Sequence, residues 1–331
     1  MDLGFHRAGM TIALETDNDP FCIETLKANR LCTSVMAADL FRVNGNLLLR
    51  EAGLRKGDVD VVFGGPSCQP FSRSNEGRRR GIKDPRGRLI FEFSRIVREL
   101  KPPAFVMENV RGLVSSNGGR DLALLERRFR RMGYRVSYFV LNAADYGVPQ
   151  CRHRLFVVGL DGATPAPPEP THGAKDSPRK GLKTHATAKD AIGRLDEGVN
   201  RKGGEAIGGM YGHLMDRIPP GMNYLYYTRR HNPKKPLFRW RSKFWTFLLK
   251  MDPARPSHTI QANPGPYVGP FHWRNRRLTL EEIERLQGLP PHWKVLGKTK
   301  PEYTSAAWRQ VGNAVPPKLA EAVAAKIREY L

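Results

Sequence analysis

A cysteine set between two prolines and followed by a run of arginines is the first residue whose surroundings suggest chemistry. The segment reads Gly64-Gly65-Pro66-Ser67-Cys68-Gln69-Pro70-Phe71-Ser72. Glycines permit a sharp turn, and the flanking prolines stiffen the loop around the cysteine. A thiol held this way beside basic residues is in surroundings that favour thiolate, the nucleophilic form. Glu108-Asn109-Val110 then offers a carboxylate suited to proton traffic. In Gln150-Cys151-Arg152-His153-Arg154 the two arginines, at i and i+2, share one face of an extended strand. Gln310-Val311-Gly312-Asn313-Ala314-Val315-Pro316-Pro317 reads as a glycine turn ahead of a helix.

These residues need a frame to bring them together. Short apolar, β-branched runs at 11–15, 59–64, 104–108, 135–141 and 155–159 predict strands, and helical patterns at 20–29, 89–100 and 120–132 lie between them. Such alternation predicts an α/β fold with a mostly parallel sheet, whose ligands sit beyond the carboxyl ends of the strands. Cys68 falls just after one predicted strand and Glu108 closes another. Further helices are expected at 277–287 and 317–330.

Composition narrows the function classes. The chain has 331 residues and 55 Lys plus Arg against 32 Asp plus Glu, a net charge of +23, which points to a polyanion such as nucleic acid as partner. The excess is concentrated. Residues 201–250 hold 11 basic and two acidic residues, residues 73–88 hold seven and two, and residues 161–200 hold six of each. No apolar run is long enough for a membrane span, and the first residues lack the pattern of a signal peptide, so cytoplasmic residence is expected. The four cysteines, Cys22, Cys32, Cys68 and Cys151, form no C-x-x-C pair, so no metal site is expected. A proline-rich stretch at 163–170 marks a change of texture, after which aromatic residues are scattered among charges up to about residue 250.

In this order the motifs resemble the DNA cytosine-5 methyltransferase family. The likeness is carried by Glu15, Ala38-Asp39-Leu40, Pro66-Ser67-Cys68-Gln69, Asp84-Pro85-Arg86-Gly87-Arg88-Leu89, Glu108-Asn109-Val110, Gln150-x-Arg152-x-Arg154, Arg255-Pro256-Ser257-His258-Thr259-Ile260 and Gly312-Asn313-Ala314-Val315. It implies a Rossmann-like, S-adenosylmethionine-dependent methyltransferase sheet with a smaller, irregular target recognition domain. Residues 1–161 would form the catalytic domain, 162–254 the target recognition domain, and 255–331 a return to the catalytic domain. The resemblance implies attack by Cys68 on carbon 6 of a cytosine flipped out of the duplex, with Glu108 at N3 and the exocyclic amine. Asn109 would hold the Cys68 loop, and Arg152 and Arg154 would contact O2 and the neighbouring backbone. S-adenosylmethionine would bind Glu15, with Thr16 beside it, through its ribose and Asp39 through its adenine. Leu40, Pro66 and Leu89 would pack on the adenosine, and Asn313 and Val315 would close the methionine end. Residues 73–88 would be the lid over the base.

The resemblance further implies double-stranded DNA as partner, a monomer, and a companion restriction endonuclease without a stable complex. Relatives open with a strand and a Phe-x-Gly-x-Gly loop, whereas Met1–Gly9 matches the helix that follows that loop. The strand and loop are missing from these 331 residues, which leaves an unpaired edge in the middle of the sheet and two readings open: a start inside a longer reading frame, or a truncated, inactive chain. Two other functions remain open on the residues alone: a catalytically silent DNA-binding relative, and a tRNA cytosine-5 methyltransferase. The latter group carries Cys-Phe-Thr after the proline, where this chain has Cys68-Gln69-Pro70.

Overall fold

The structure is a computed structural model that describes residues 1–331 except 73–80, 178, 199–204 and 232–233, with backbone alone for 196–198. The chain divides into two compact units. The first comprises Met1–Asn142, His153–Glu169 and Leu319–Leu331. The second comprises Ala143–Arg152 and Pro170–Lys318.

The first unit opens with helix α1 (Asp2–Arg7), then β1 (Ile12–Asp17), α2 (Pro20–Asn29), β2 (Cys32–Ala37) and α3 (Gly45–Ala52). Asp19 caps α2 by accepting from Phe21 N at 2.8 Å, with Pro20 at the first helical position, and Asn44 caps α3 in the same way. Next come β3 (Val61–Gly64), α4 (Leu89–Leu100), β4 (Ala104–Val110), α5 (Arg120–Arg131) and β5 (Arg135–Asn142). In the second unit β6 is Gln150–Cys151, and β7 (His153–Leu160) returns the chain to the first.

The hydrogen-bonded ladders of the first unit form two groups. β1 and β2 are a parallel pair, while β3-β4-β7-β5 form a four-stranded sheet. Among the described residues β1 has only β2 as neighbour and β3 has only β4. In the four-stranded sheet β3, β4 and β5 run the same way and β7 alone is reversed, so the expected mostly parallel sheet holds with one antiparallel strand. β3 and β4 run parallel, but β7 is antiparallel to both β4 and β5. β5 hands over to β7 after a ten-residue excursion, so β7 comes back alongside β5 without the crossover that parallel strands need. β4 is paired on both edges and buried along six of its seven residues, and its sequence is accordingly almost wholly apolar before Glu108.

Phe93, Val97, Phe105, Met107, Leu125, Phe129 and Leu155 make the main core of this unit. A second cluster packs Val43, Leu48 and Leu49 of the α3 region against Ile96 and Leu100 of α4.

The second unit contains the short strands β8 (His172–Gly173), β9 (Lys183–Thr184) and β10 (Ser257–His258), the last paired in parallel with β6. Its helices are α6 (Ala188–Gly198), α7 (Leu280–Leu286) and α8 (Ala306–Asn313). α9 (Pro317–Arg328) starts here and ends in the first unit. α7 begins with a reciprocal capping box between Thr279 and Glu282. One core joins α6, α7 and α8 through Ile192, Ile283, Leu286 and Trp308. The other is aromatic, around Tyr224, Tyr227, Phe247 and Phe271. The expected glycine turn at 312–313 is the last turn of α8, and the break before α9 comes at 314–316, where Pro316 and Pro317 prevent the helix from continuing.

Candidate active site

In the first unit the residues singled out from sequence fall at strand carboxyl ends. Glu15 and Thr16 lie in the last half of β1, and Asp39 and Leu40 follow β2. Pro66 and Cys68 follow β3, and Glu108 and Asn109 close β4.

The Cys68 loop is fixed from both sides. Asn109, fully buried, donates from Nδ2 to the Pro66 carbonyl at 3.0 Å. After Cys68 the chain enters a short 3-10 turn, Gln69–Phe71. A Cβ added to Gly112 would lie 1.9 Å from the Phe71 carbonyl oxygen, so this turn rests directly on the backbone that follows Glu108-Asn109-Val110. Arg86 reaches back to Gln69 by a hydrogen bond and pairs with Asp84 at 2.8 Å. Residues 81–88 form two short 3-10 turns, while 73–80, the rest of the expected lid, lie outside the described residues.

Glu108 is placed by strand register. It lies opposite Phe156 on β7, and Arg154 is two residues earlier on that strand, hence on the same face. That diagonal brings Arg154 Nε within 2.8 Å of Glu108 Oε1, an ion pair whose side chains are 11% and 8% exposed. The other oxygen, Oε2, is turned toward the Cys68 loop: a Cβ on Gly65 would sit 3.1 Å from it. The unit thus gathers a cysteine loop, a braced asparagine and a paired carboxylate in one region.

Arg152 departs from the expected common face with Arg154. It belongs to the second unit, is fully buried, and donates to the carbonyls of Ile260 at 3.1 Å and Gly312 at 2.7 Å. The reason is that the strand is interrupted at residue 152, between β6 and β7, so alternation does not carry through. Neighbouring Gln150, which sequence reasoning did not select, ties the same unit together through Gln287 at 2.7 Å and Ile260 N at 3.1 Å. Its signal was its place at the head of the two-arginine motif.

The remaining expected cofactor residues have varied surroundings. Glu15 is 4% exposed, and its Oε2 lies 3.0 Å from the thiol of Cys32. Its Oε1 is buried without a hydrogen-bond partner. Burial, reinforced by Asp2, pushes the Glu15 carboxyl up to about 7. Thr16 is half-buried and opposite Met36. Asp39 accepts from Phe41 N at 3.0 Å, and the Leu40 carbonyl accepts from Arg95 at 2.7 Å. Pro66 is buried and Leu89, half-buried, opens α4. Asn313, exposed, and Val315, buried, are in the second unit. Among the described residues no cluster of three or more His, Cys, Asp or Glu suits a metal.

With this geometry in hand, comparison with known proteins defines the class. The description of the C-5 cytosine-specific DNA methylases matches residues 1–329. The Type II methyltransferase M.SacI of Streptomyces achromogenes is 38% identical over 340 residues, covering 97% of this chain and 85% of that protein. M1.HphI of Haemophilus parahaemolyticus is 36% identical, covering 97% and 82%, and M.MthTI of Methanothermobacter thermautotrophicus 32%, covering 100% and 94%. A putative DNA modification methyltransferase encoded within an Escherichia coli prophage shares the fold, with TM-score 0.62, 22% identity, and coverage of 99% and 95%. The chain belongs to the C-5 cytosine-specific DNA methylase family and is a methyltransferase of that class.

Proposed function

We propose that this protein methylates carbon 5 of a cytosine flipped out of a specific duplex DNA sequence, with Cys68 as the covalent nucleophile. The observation that carries the reading is the Cys68 loop, braced by Asn109 and lying beside the Glu108–Arg154 pair. Carbon 5 of cytosine is weakly nucleophilic. Addition of the Cys68 thiolate to carbon 6 forms a C–S bond, pushes the ring electrons toward N3 and makes carbon 5 enamine-like. Glu108, carrying a proton or sharing it with N3, offsets the negative charge that develops there and meets the exocyclic amine, while Arg154 holds the carboxyl group in that orientation. Asn109 keeps the loop from retreating when the base arrives. A stacked base cannot be reached by this set of groups, so the target must leave the helix.

The donor the family implies is S-adenosylmethionine, which supplies an electrophilic methyl group when bound. The residues fit it: the buried, unpartnered Oε1 of Glu15 is an acceptor suited to a ribose hydroxyl. Asp39 would take the adenine amino group, Thr16, Leu40, Pro66 and Leu89 would line the nucleoside, and Asn313 and Val315 the methionine end. Arg152 supports the second unit from within, through the Gly312 carbonyl just before Asn313. Loss of the carbon 5 proton and expulsion of the thiolate then release the product.

Target choice is assigned to residues 162–254, whose basic part at 201–250 includes 201–204 and 232–233, outside the described residues. In support, an open cleft of about 630 Å³ is lined by Arg229, Arg230, Arg239, Phe238 and Trp240, with Arg230 5.1 Å from the Trp240 ring. Such a surface, rich in Arg and aromatic side chains and lacking acidic ones, suits phosphates and base edges. The likeness to Type II methyltransferases supports a restriction-modification role, and the proposal includes a companion endonuclease. Among the described residues no helix is long and apolar enough to cross a membrane.

The test is a mechanism-based trap. Duplex DNA carrying 5-fluorocytosine at the target, supplied with S-adenosylmethionine, should give a denaturant-resistant adduct with the wild type and none with Cys68→Ser, because fluorine cannot leave as a proton does. An adduct with Cys68→Ser, or none with a wild type that methylates ordinary DNA, would overturn the mechanism.

A further inference from the structure

Glu15 is an acid in a costly position, and its neighbours suggest how it is managed. Its carboxylate is almost wholly buried, with one oxygen 3.0 Å from Cys32 Sγ and the other without a partner. Cys32 opens β2, the sole neighbour of β1 among the described residues. The same sulfur lies 3.0 Å from the carbonyl of Ser34.

We propose that Cys32 is a positioning residue for the cofactor: its thiol holds one oxygen of Glu15 so that the other is presented to the ligand's ribose hydroxyls. This rests on the assignment of Glu15 to the ribose. A thiol has a single proton and here two acceptors at equal distance. An ionised carboxylate is the stronger acceptor, so the proton goes to Glu15 when that residue is charged and falls back to Ser34 when it is not. Burial, followed by the Glu15 contact itself, pushes the Cys32 thiol up to about 12, so it remains a donor and does not compete as an anion. The charged groups acting on Glu15 are Asp2, which raises its pKa, and the Met1 amino group, which lowers it as the thiol contact does. Removing the thiol therefore moves Glu15 ionisation to higher pH and frees both carboxylate oxygens to reorient. Neither effect requires Cys32 to touch the ligand.

The experiment is calorimetric titration of wild type, Cys32→Ala, Cys32→Ser and Glu15→Gln with S-adenosylhomocysteine from about pH 6 to about pH 9. Cys32→Ala should bind about three- to tenfold more weakly near neutrality, the range expected for losing one ordinary hydrogen bond, a thiol being a weak donor. Its affinity should begin to fall at a higher pH than that of the wild type. Cys32→Ser, which keeps a donor, should restore both affinity and profile. If Ala and Ser variants lose affinity equally at every pH, Cys32 is only packing; if both superimpose on the wild type, it does nothing, and either result overturns the proposal. Glu15→Gln separates this failure from that of the underlying reading. Unchanged binding by that variant removes Glu15 from the ribose and the proposal with it, whereas weakened binding keeps the ribose assignment whatever Cys32 does. Melting temperatures of all four proteins identify any variant that fails to fold, and the serine variant keeps the comparison decisive.

Discussion

The Glu108–Arg154 pair should behave as a coupled unit, and the size of the coupling can be worked out. At 2.8 Å the attraction between unit charges is about 6 kcal/mol at an effective dielectric near 20. Withdrawing both groups from water costs several kcal/mol each, so the intact pair contributes little net stability. Breaking it is another matter. Arg154→Met leaves a carboxylate that is only 8% exposed without its counter-ion, and should cost about 3–5 kcal/mol. Glu108→Gln leaves the guanidinium with an amide oxygen to bond and should cost about 2 kcal/mol. The double variant removes both charges and should be more stable than the sum of the singles implies, by about 2 kcal/mol or more. The assay is urea unfolding followed by far-ultraviolet circular dichroism. All five tryptophans, Trp240, Trp245, Trp273, Trp293 and Trp308, lie in the second unit, so indole fluorescence would report on the wrong part of the molecule. In thermal melts each kcal/mol should appear as roughly 2–4 °C. Additivity of the two single variants to within about 0.5 kcal/mol would show that the charges do not interact and would refute the argument.

Other consequences are as direct. Gly112→Ala places a methyl group 1.9 Å from the Phe71 carbonyl, so it should lower the melting temperature and abolish adduct formation with 5-fluorocytosine DNA; normal trapping would mean that the Cys68 turn does not rest there. Glu15 titrates near 7 when folded against a usual 4.5, so the folded state takes up a proton that the unfolded chain has released, and ligand-free stability should fall as pH rises through that window. Glu15→Gln should therefore melt above wild type at about pH 8, with the gap closing by about pH 5; a pH-independent gap would contradict the burial argument. Grafting residues 162–254 into a relative should transfer the methylated sequence, read by bisulfite sequencing, with retention of the recipient's sites as the negative result. DNA binding should weaken steeply with added salt, because each phosphate contact releases counter-ions, and a flat dependence would argue against a basic docking face.

Much of the first unit was legible because its signals are local. The start of α2 follows from Pro20, α4 stops at Leu100 ahead of Pro102 and Pro103, and β4 announces itself as an apolar run ending in Glu108. β2, α3, α6 and α8 were not anticipated. β2 reads Cys-Thr-Ser-Val-Met-Ala, half polar, and its strand identity comes from pairing with β1 rather than from its own pattern. The antiparallel direction of β7 was equally invisible, since orientation is a property of the connection and not of the strand. Cys68, Glu108 and Asn109 could be found because each lies at or just past a strand's end. The different fates of Arg152 and Arg154 could not, because the interruption at residue 152 depends on Ile260 and Gly312, more than a hundred positions away. Cys32 carried no motif at all and became visible only through its distance to Glu15.

The diagonal that joins Arg154 to Glu108 makes the β4–β7 ladder a ruler for the site. Sliding β7 by a single residue would turn Arg154 to the opposite face of the sheet and bring Phe156 out of its place against Glu108. Inserting or deleting one residue inside 154–160 should therefore be far more damaging than changing length in the loop beyond Leu160, where no ladder position is displaced. A change of length should be better borne in the stretch that follows β7, which leads into residues 162–254. If residues 162–254 choose the target as proposed, a new preference can arise there while the spacing of the acid and its arginine stays fixed by the hydrogen-bonded strands behind them.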